Sequence, residues 1–245
     1  MLIGRDIRYY EKVSSTNELA SELLANNKAG HGTVISASYQ TAGRGQRQNK
    51  WHSKALNNLT ISILIKPRNI EPSKQFYISM VVSIALIEAL QEYAGPFRIK
   101  WPNDIYYEGD KIAGILIEHS ITGPDITGSI CGIGVNINET DFPDFLPNPV
   151  SLKSISGKDY NISTIMESIL IQINSWYAML EDHKFDFIKS SYLRYLYRYN
   201  EEARFRAKNK TFRGRITGIN EAGQLLVKRG EGETVAYSFK ELEFC

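Results

Sequence analysis

The period of apolar and polar positions changes several times along the chain, and each change marks an element. Leu19 and Leu23 lie four apart after the polar run Ser14-Ser15-Thr16-Asn17, which predicts a capped amphipathic helix. Residues 33–39 read as a strand. Residues 59–66 alternate, with Ile61, Ile63 and Ile65 on one face, and read as a second strand. The segment between them, residues 40–58, is a polar loop containing glycines. Residues 73–93 predict a long helix entered through Pro72. A short strand at 97–100 is stopped by Pro102. Residues 105–107 and 112–118 flank Glu108-Gly109-Asp110-Lys111, the pattern of a hairpin. Another strand, 129–137, follows a turn around Gly123-Pro124-Asp125. Ile165, Ile169, Ile173, Trp176 and Leu180 line one face of a helix. Phe185, Ile188, Tyr192, Leu196 and Tyr199 line a second.

After Tyr199 the segments become short and alternating, with turns at 220–223 and 229–232. The pattern predicts an α+β protein: a mixed sheet with flanking helices over residues 1–200, then a small C-terminal β-barrel over 201–245.

Composition changes this picture little. A chain of 245 residues with 42% hydrophobic and 23% charged residues has the makeup of a folded globular protein. The two cysteines, Cys131 and Cys245, form neither a disulfide framework nor a zinc-binding pair, which fits a reducing compartment. Arg5, Asp6 and Arg8 interrupt any signal-like apolar run, and the apolar stretch 78–90 is too short to span a membrane. These features predict a cytoplasmic protein with no membrane association.

The net charge of +2 hides a local asymmetry. No Asp or Glu occurs between Leu23 and Ile70, whereas Arg44, Arg47, Lys50 and Lys54 crowd one loop with Gly43, Gly45, Trp51 and His52. Glycines let backbone N–H groups approach an anion, Arg supplies forked donors, and Trp51 offers a face for a ring. The loop is neither a Walker A sequence nor a dinucleotide fingerprint. Lys100-Trp101-Pro102-Asn103-Asp104 combines groups able to hold phosphate, hydroxyls and Mg²⁺. Lys111 sits at the hairpin tip and leads into a strand containing Gly114. Gly132 and Gly134 leave a flat platform, with Asn136 and Asn138 sharing a side at period two. Taken singly, each group also reads as ordinary structure: a solvated loop, an Asx turn, a surface lysine, a bulge.

Their order is more specific. Ser15-Thr16-Asn17, Gln40-Thr41-Ala42-Gly43-Arg44-Gly45, Lys100-Trp101-Pro102-Asn103-Asp104, Lys111-Ile112-Ala113-Gly114-Ile115-Leu116-Ile117-Glu118 and Gly132-Ile133-Gly134-Val135-Asn136 together resemble a biotin protein ligase. The motifs lie within about residues 10–140, and the remainder matches by architecture. The ligase motifs begin near residue 15, which resembles the monofunctional class without an N-terminal DNA-binding domain. The resemblance implies ATP, biotin and Mg²⁺ as small molecules, a biotin carboxyl carrier protein domain as partner, no DNA, and a monomer or homodimer.

The resemblance also implies site roles. Ser15, Thr16, Asn17, Gln40, Arg44, Gly45, Gln46, Lys111 and Gly114 would bind biotin. Arg47, Trp51, Lys100, Asn103 and Asn136 would contact ATP or the adenylate. Lys111, Arg44 and Asp104 would be catalytic, with Asp104 orienting Mg²⁺ or the incoming lysine. Gln46 stands where the family loop usually has a second Arg, so retention of the adenylate rests on Arg47 or Lys50. Competing readings are a lipoate or octanoate ligase or transferase of similar fold, a degenerate ligase that binds without turnover, and a non-catalytic nucleic-acid-binding module. The last draws on the basic run Arg204, Arg206, Lys208, Lys210, Arg213 and Arg215.

Overall fold

The computed structural model describes residues 2–46, 49–230 and 232–245. The elements run β1 Asp6–Val13, α1 Thr16–Ala25, β2 Thr33–Gln40, β3 Leu59–Ile65, α2 Phe76–Leu90, β4 Phe97–Lys100, β5 Asp104–Tyr107, β6 Asp110–Thr122 and β7 Asp125–Val135. There follow α3 Leu152–Ser156, α4 Ile162–Glu181, α5 Phe185–Tyr195, β8 Glu202–Ala207, β9 Lys210–Ile219, β10 Leu225–Lys228, β11 Thr234–Tyr237 and β12 Glu243–Phe244. The first seven strands form one sheet in the order β1-β2-β3-β7-β6-β5-β4. Its pairs are antiparallel except β1 with β2, which run parallel.

β3 is the strand its alternation predicts, and it is buried on both faces. Two layers explain this. Ile61, Ile63 and Ile65 face the main core with α2, α4 and α5. Leu64, on the other face, packs with Ala20 of α1, Ile35 and Ile130. α2 is apolar all round because it is the central core helix: only Ser79 and Glu88 among its residues escape burial. It begins as a single 3₁₀ turn at Pro72–Lys74, so the long helix predicted over 73–93 is divided and shorter. β1 and α3 are elements the pattern did not predict.

The second sheet, in the order β11-β10-β9-β8-β12, is antiparallel throughout. It stays open. β11 and β12 lie at opposite edges, and β12 pairs only through Glu243 and Phe244, too short a strand to close a ring. The expected small barrel is therefore corrected to an open β-sheet.

Candidate active site

Strand register assembles the site. Across the large sheet, Thr60 pairs with Gly134, Gly134 with Gly114, Gly114 with Asp104, and Asp104 with Lys100. Paired residues project from the same face, so one row crosses β3, β7, β6, β5 and β4. A neighbouring row on that face is Ser62, Gly132 and Leu116, and the next is Leu64 with Ile130. α1 covers the apolar row. The two glycine rows remain open as a floor, and a cavity of about 690 Å³ lies above them. That volume is ordinary for a small-molecule site.

The first turn of α1 closes one end of the cavity. Ser15 occupies the helix N-cap without a side-chain capping bond. Gln40 caps the helix instead: its Oε1 accepts the Thr16 N–H at 2.7 Å and the Thr16 hydroxyl at 3.1 Å. Asn17 is buried over Gly132. Its Oδ1 accepts from Ser62 Oγ at 2.6 Å, and its Nδ2 donates to Glu118 Oε2 at 2.8 Å. A side chain at Gly132 would collide with it, since a Cβ there would lie 2.3 Å from Asn17 Oδ1. This end is a cluster of hydrogen-bond donors and acceptors with the Glu118 carboxylate among them.

The Gly43–Trp51 loop supplies the roof. Arg44 and Lys50 form a bridge, Gly45 N–H donates to Asn49 O at 2.8 Å, and Trp51 N–H donates to Gly43 O at 2.9 Å. Gly43 permits that approach, because a Cβ on it would come within 2.5 Å of Trp51 O. The folded-back loop lays the Trp51 indole on Gly134, where a Cβ would lie 2.3 Å from Cε2. Trp51 Nε1 is buried with no hydrogen-bond partner among the described residues. Arg47 was a candidate nucleotide contact and lies outside the described residues. On the far side of Trp51, the buried Glu139 accepts from Lys54 N–H at 3.0 Å and from Asn58 Nδ2.

Arg44 stands beside the α1 end, since its partner Glu118 also accepts from Asn17, whereas Lys111 and Lys100 stand at the other end. Arg44 Nη2 meets Glu118 Oε1 at 2.6 Å, and Lys111 Nζ meets Asp104 Oδ1 at 2.7 Å. Lys100 has no carboxylate partner among the described residues; its Nζ donates to Tyr106 Oη at 3.1 Å. Lys111 is not at a free hairpin tip. It is the second residue of β6, its N–H donates to Asn148 O at 2.7 Å, and its carbonyl accepts from Val150. A register shift between Ile105 and Tyr106 pairs Tyr106 with Lys111, which turns Lys111 onto the same face as Gly114.

Ser15, Thr16, Asn17, Gln40, Arg44, Gly45, Gln46, Trp51, Lys100, Asn103, Asp104, Lys111 and Gly114 therefore all border one cavity. Asn136 does not border it. The side chain of this buried residue donates to Val150 O at 3.1 Å and Lys111 O at 3.4 Å, tying the 148–150 segment to the start of β6. Asn138 likewise pairs with the backbone of Tyr160. The sequence did not mark Ser62 and Glu118, which hold Asn17, or Phe239, between β11 and β12, and Phe244 of β12, which line the cavity. Ser62 had a signal: it lies two residues from Thr60 on the face opposite the isoleucines. Cys131 lies on the core face of β7, and burial pushes its thiol up to about 12, so it offers no nucleophile.

Among the described residues no three His, Cys, Asp or Glu side chains converge on one point. A lone carboxylate such as Asp104 suits a magnesium ion that arrives on a triphosphate, its shell completed by phosphate oxygens and water.

Residues 9–136 match the family model described as biotin/lipoate A/B protein ligase. The chain belongs to that family. Residues 200–239 match a second model, the biotin protein ligase C-terminal domain. The chain is 34% identical over 241 residues to the bifunctional ligase/repressor BirA of Bacillus subtilis, covering 97% of this chain and 74% of the relative. It is 30% identical over 231 residues to a biotin–[acetyl-CoA-carboxylase] ligase of Paracoccus denitrificans, covering 91% and 95%. Among solved structures, the Aquifex aeolicus biotin protein ligase in complex with biotin and ATP superposes with a TM-score of 0.83. That match has 27% identity and covers 98% of this chain and all of the other.

Proposed function

We propose that this protein activates biotin with ATP to biotinyl-5′-AMP and transfers the biotin to a lysine of a biotin carboxyl carrier protein domain. The carrying observation is the polarity of this cavity. Its α1 end is hydrogen-bonding, with the Arg44–Glu118 pair beside it, and its far end holds Lys111 and Lys100. Biotin has the same polarity, with a ureido ring at one end and a carboxylate at the other. The relatives' names favour biotin over lipoate or octanoate.

In the first step a biotin carboxylate oxygen attacks the α-phosphorus of ATP, a P–O bond forms, and pyrophosphate leaves with the electron pair of the broken bond. Two anions must approach, so the barrier falls mainly through cationic donors and positioning. Arg44 and Lys111 are suited to this. Each is held on the floor by a carboxylate that an incoming anion can replace. Ser15, Thr16, Asn17 and Gln40 would hold the ureido end, with Gly45, Gln46 and Gly114 giving backbone access. Trp51 would stack on adenine, while Lys100 and Asn103 contact the nucleotide. In the second step the carrier lysine nitrogen attacks the acyl carbon of the adenylate, losing a proton as AMP leaves. Asp104 would orient that amine, or the magnesium that ATP brings. We assign residues 1–200 to the catalytic domain and 201–245 to a second domain, and the protein to the cytoplasm.

The test is to mix the protein with biotin, ATP and Mg²⁺ and follow pyrophosphate. Biotin-dependent release is expected, and its absence overturns the assignment. Lipoate in place of biotin should give none.

A further inference from the structure

Lys100 is held differently from the other two cations of the site. Its Nζ lies 4.5 Å from the centroid of the Tyr106 ring and 5.6 Å from that of Phe244, and it donates to the Tyr106 hydroxyl. Tyr106 is buried; Lys100 and Phe244 are half-buried. Phe244 belongs to β12 of the second sheet, where it pairs with Phe205 and stands edge-on to its ring at 5.5 Å. Tyr197 packs between Tyr106 and Phe244, with ring centroids 6.2 Å from each. An aromatic path thus runs from the core of the second sheet to the ammonium group of a residue at the end of β4.

The choice of partner matters chemically. A carboxylate fixes a lysine but cancels its charge, as Asp104 does for Lys111. An aromatic face attracts an ammonium through its quadrupole and leaves the full charge directed outward. One Nζ–H is used by Tyr106 and two remain for phosphate oxygens. The geometry points to Phe244 as a positioning residue for the nucleotide: with Tyr106 it holds Lys100 as an uncompensated cation aimed at the phosphates of ATP, so the second sheet completes the nucleotide site. This inference rests on the reading of Lys100 as a nucleotide contact.

The experiment measures binding of α,β-methylene-ATP, which cannot donate its adenylyl group, by titration calorimetry. The proteins are wild type, Phe244→Ala, Phe244→Leu and Phe244→Tyr, with biotin affinity and melting temperature determined for each. Ala and Leu should bind the analogue about fivefold more weakly, the scale of one partly desolvated cation–π contact. Tyr should stay near wild type, and biotin affinity should not change. Leu is the discriminating variant, because it keeps apolar volume without a ring quadrupole. Wild-type affinity in Leu, equal analogue affinity in all four proteins, a parallel fall in biotin affinity, or failure of the wild type to bind the analogue would each overturn the inference. If the wild type binds the analogue with this dependence yet releases no pyrophosphate with biotin, the ligase assignment falls and the role of Phe244 stands.

Discussion

A methyl group at Gly132 would stand 2.3 Å from Asn17 Oδ1, and one at Gly134 would stand 2.3 Å from Trp51 Cε2. The two collisions differ in what can yield. Asn17 is buried and tied to Ser62, Leu116 and Glu118. Trp51 is a half-buried ring on a loop. Gly132→Ala should therefore cost about 1–3 kcal/mol of stability, as overpacking does, and also lower biotin affinity. Gly134→Ala should leave stability nearly unchanged, displace the indole, and weaken nucleotide binding at least about fivefold, the lower range for a base–aromatic stack. Denaturant melts and separate biotin and ATP titrations check both. Identical profiles for the two variants would mean that the floor is not divided this way. Cysteine labelling tests the sheet directly. The buried Cys131 thiol, pushed up to about 12, should resist iodoacetamide in the native protein at neutral pH, while exposed Cys245 reacts.

Among elements, β6 teaches the most about what sequence can disclose. Alternation located the strand, and Gly114 and Glu118 were visible in it as members of a motif. Strict period two, however, sends Lys111 and Gly114 to opposite faces. The bulge that skips Ile112 brings them to one face, and it depends on pairing with β5 across the sheet, which no local pattern records. The same limit hid β1. Its half-exposed sequence of charges and tyrosines becomes a strand by pairing with β2 at the sheet edge. Asn136 shows the converse: period two offered it to the site, but it lies just beyond the end of β7, where its amide serves backbone carbonyls. Most strands and the main helices were legible from their periods, and the motifs named most of the residues that the fold brings to the border of one cavity. Lys111→Ala tests the element. Its ion pair with Asp104 is part-exposed, so the stability loss should stay below about 1 kcal/mol. Adenylate formation should fall by about 10²–10³-fold with the loss of a transition-state cation. Near-normal pyrophosphate release in the variant would return Lys111 to the role of a surface lysine.

On the scale of the molecule, the two sheets meet at a turn. Gly223 has φ +80, and its carbonyl accepts the Trp101 indole N–H at 2.8 Å. A Cβ there would come within 2.4 Å of Phe76 Cγ. Phe76 starts α2 and is buried against Tyr192, while Phe239 stands edge-on to Trp101 with centroids 5.2 Å apart. The turn thus seats the second sheet on the first residue of the core helix and on the tryptophan beside Lys100. Gly223→Ala introduces two penalties, backbone strain at positive φ and a collision with Phe76. Gly230→Ala separates them, because Gly230 has φ +51 and, among the described residues, nothing within 4 Å of its Cβ position. Gly230→Ala should cost about 1 kcal/mol, as strain alone does. Gly223→Ala should cost about 1–3 kcal/mol more, as overpacking does. It should also weaken ATP binding, because Trp101 must shift with the turn and Lys100 is its neighbour in the chain. Biotin binding, built from α1 and the glycine floor, should hold. Equal melting temperatures for the two variants would show that the turn is not seated on Phe76, and a matched loss of biotin affinity would show that the second sheet supports the whole site rather than its nucleotide end.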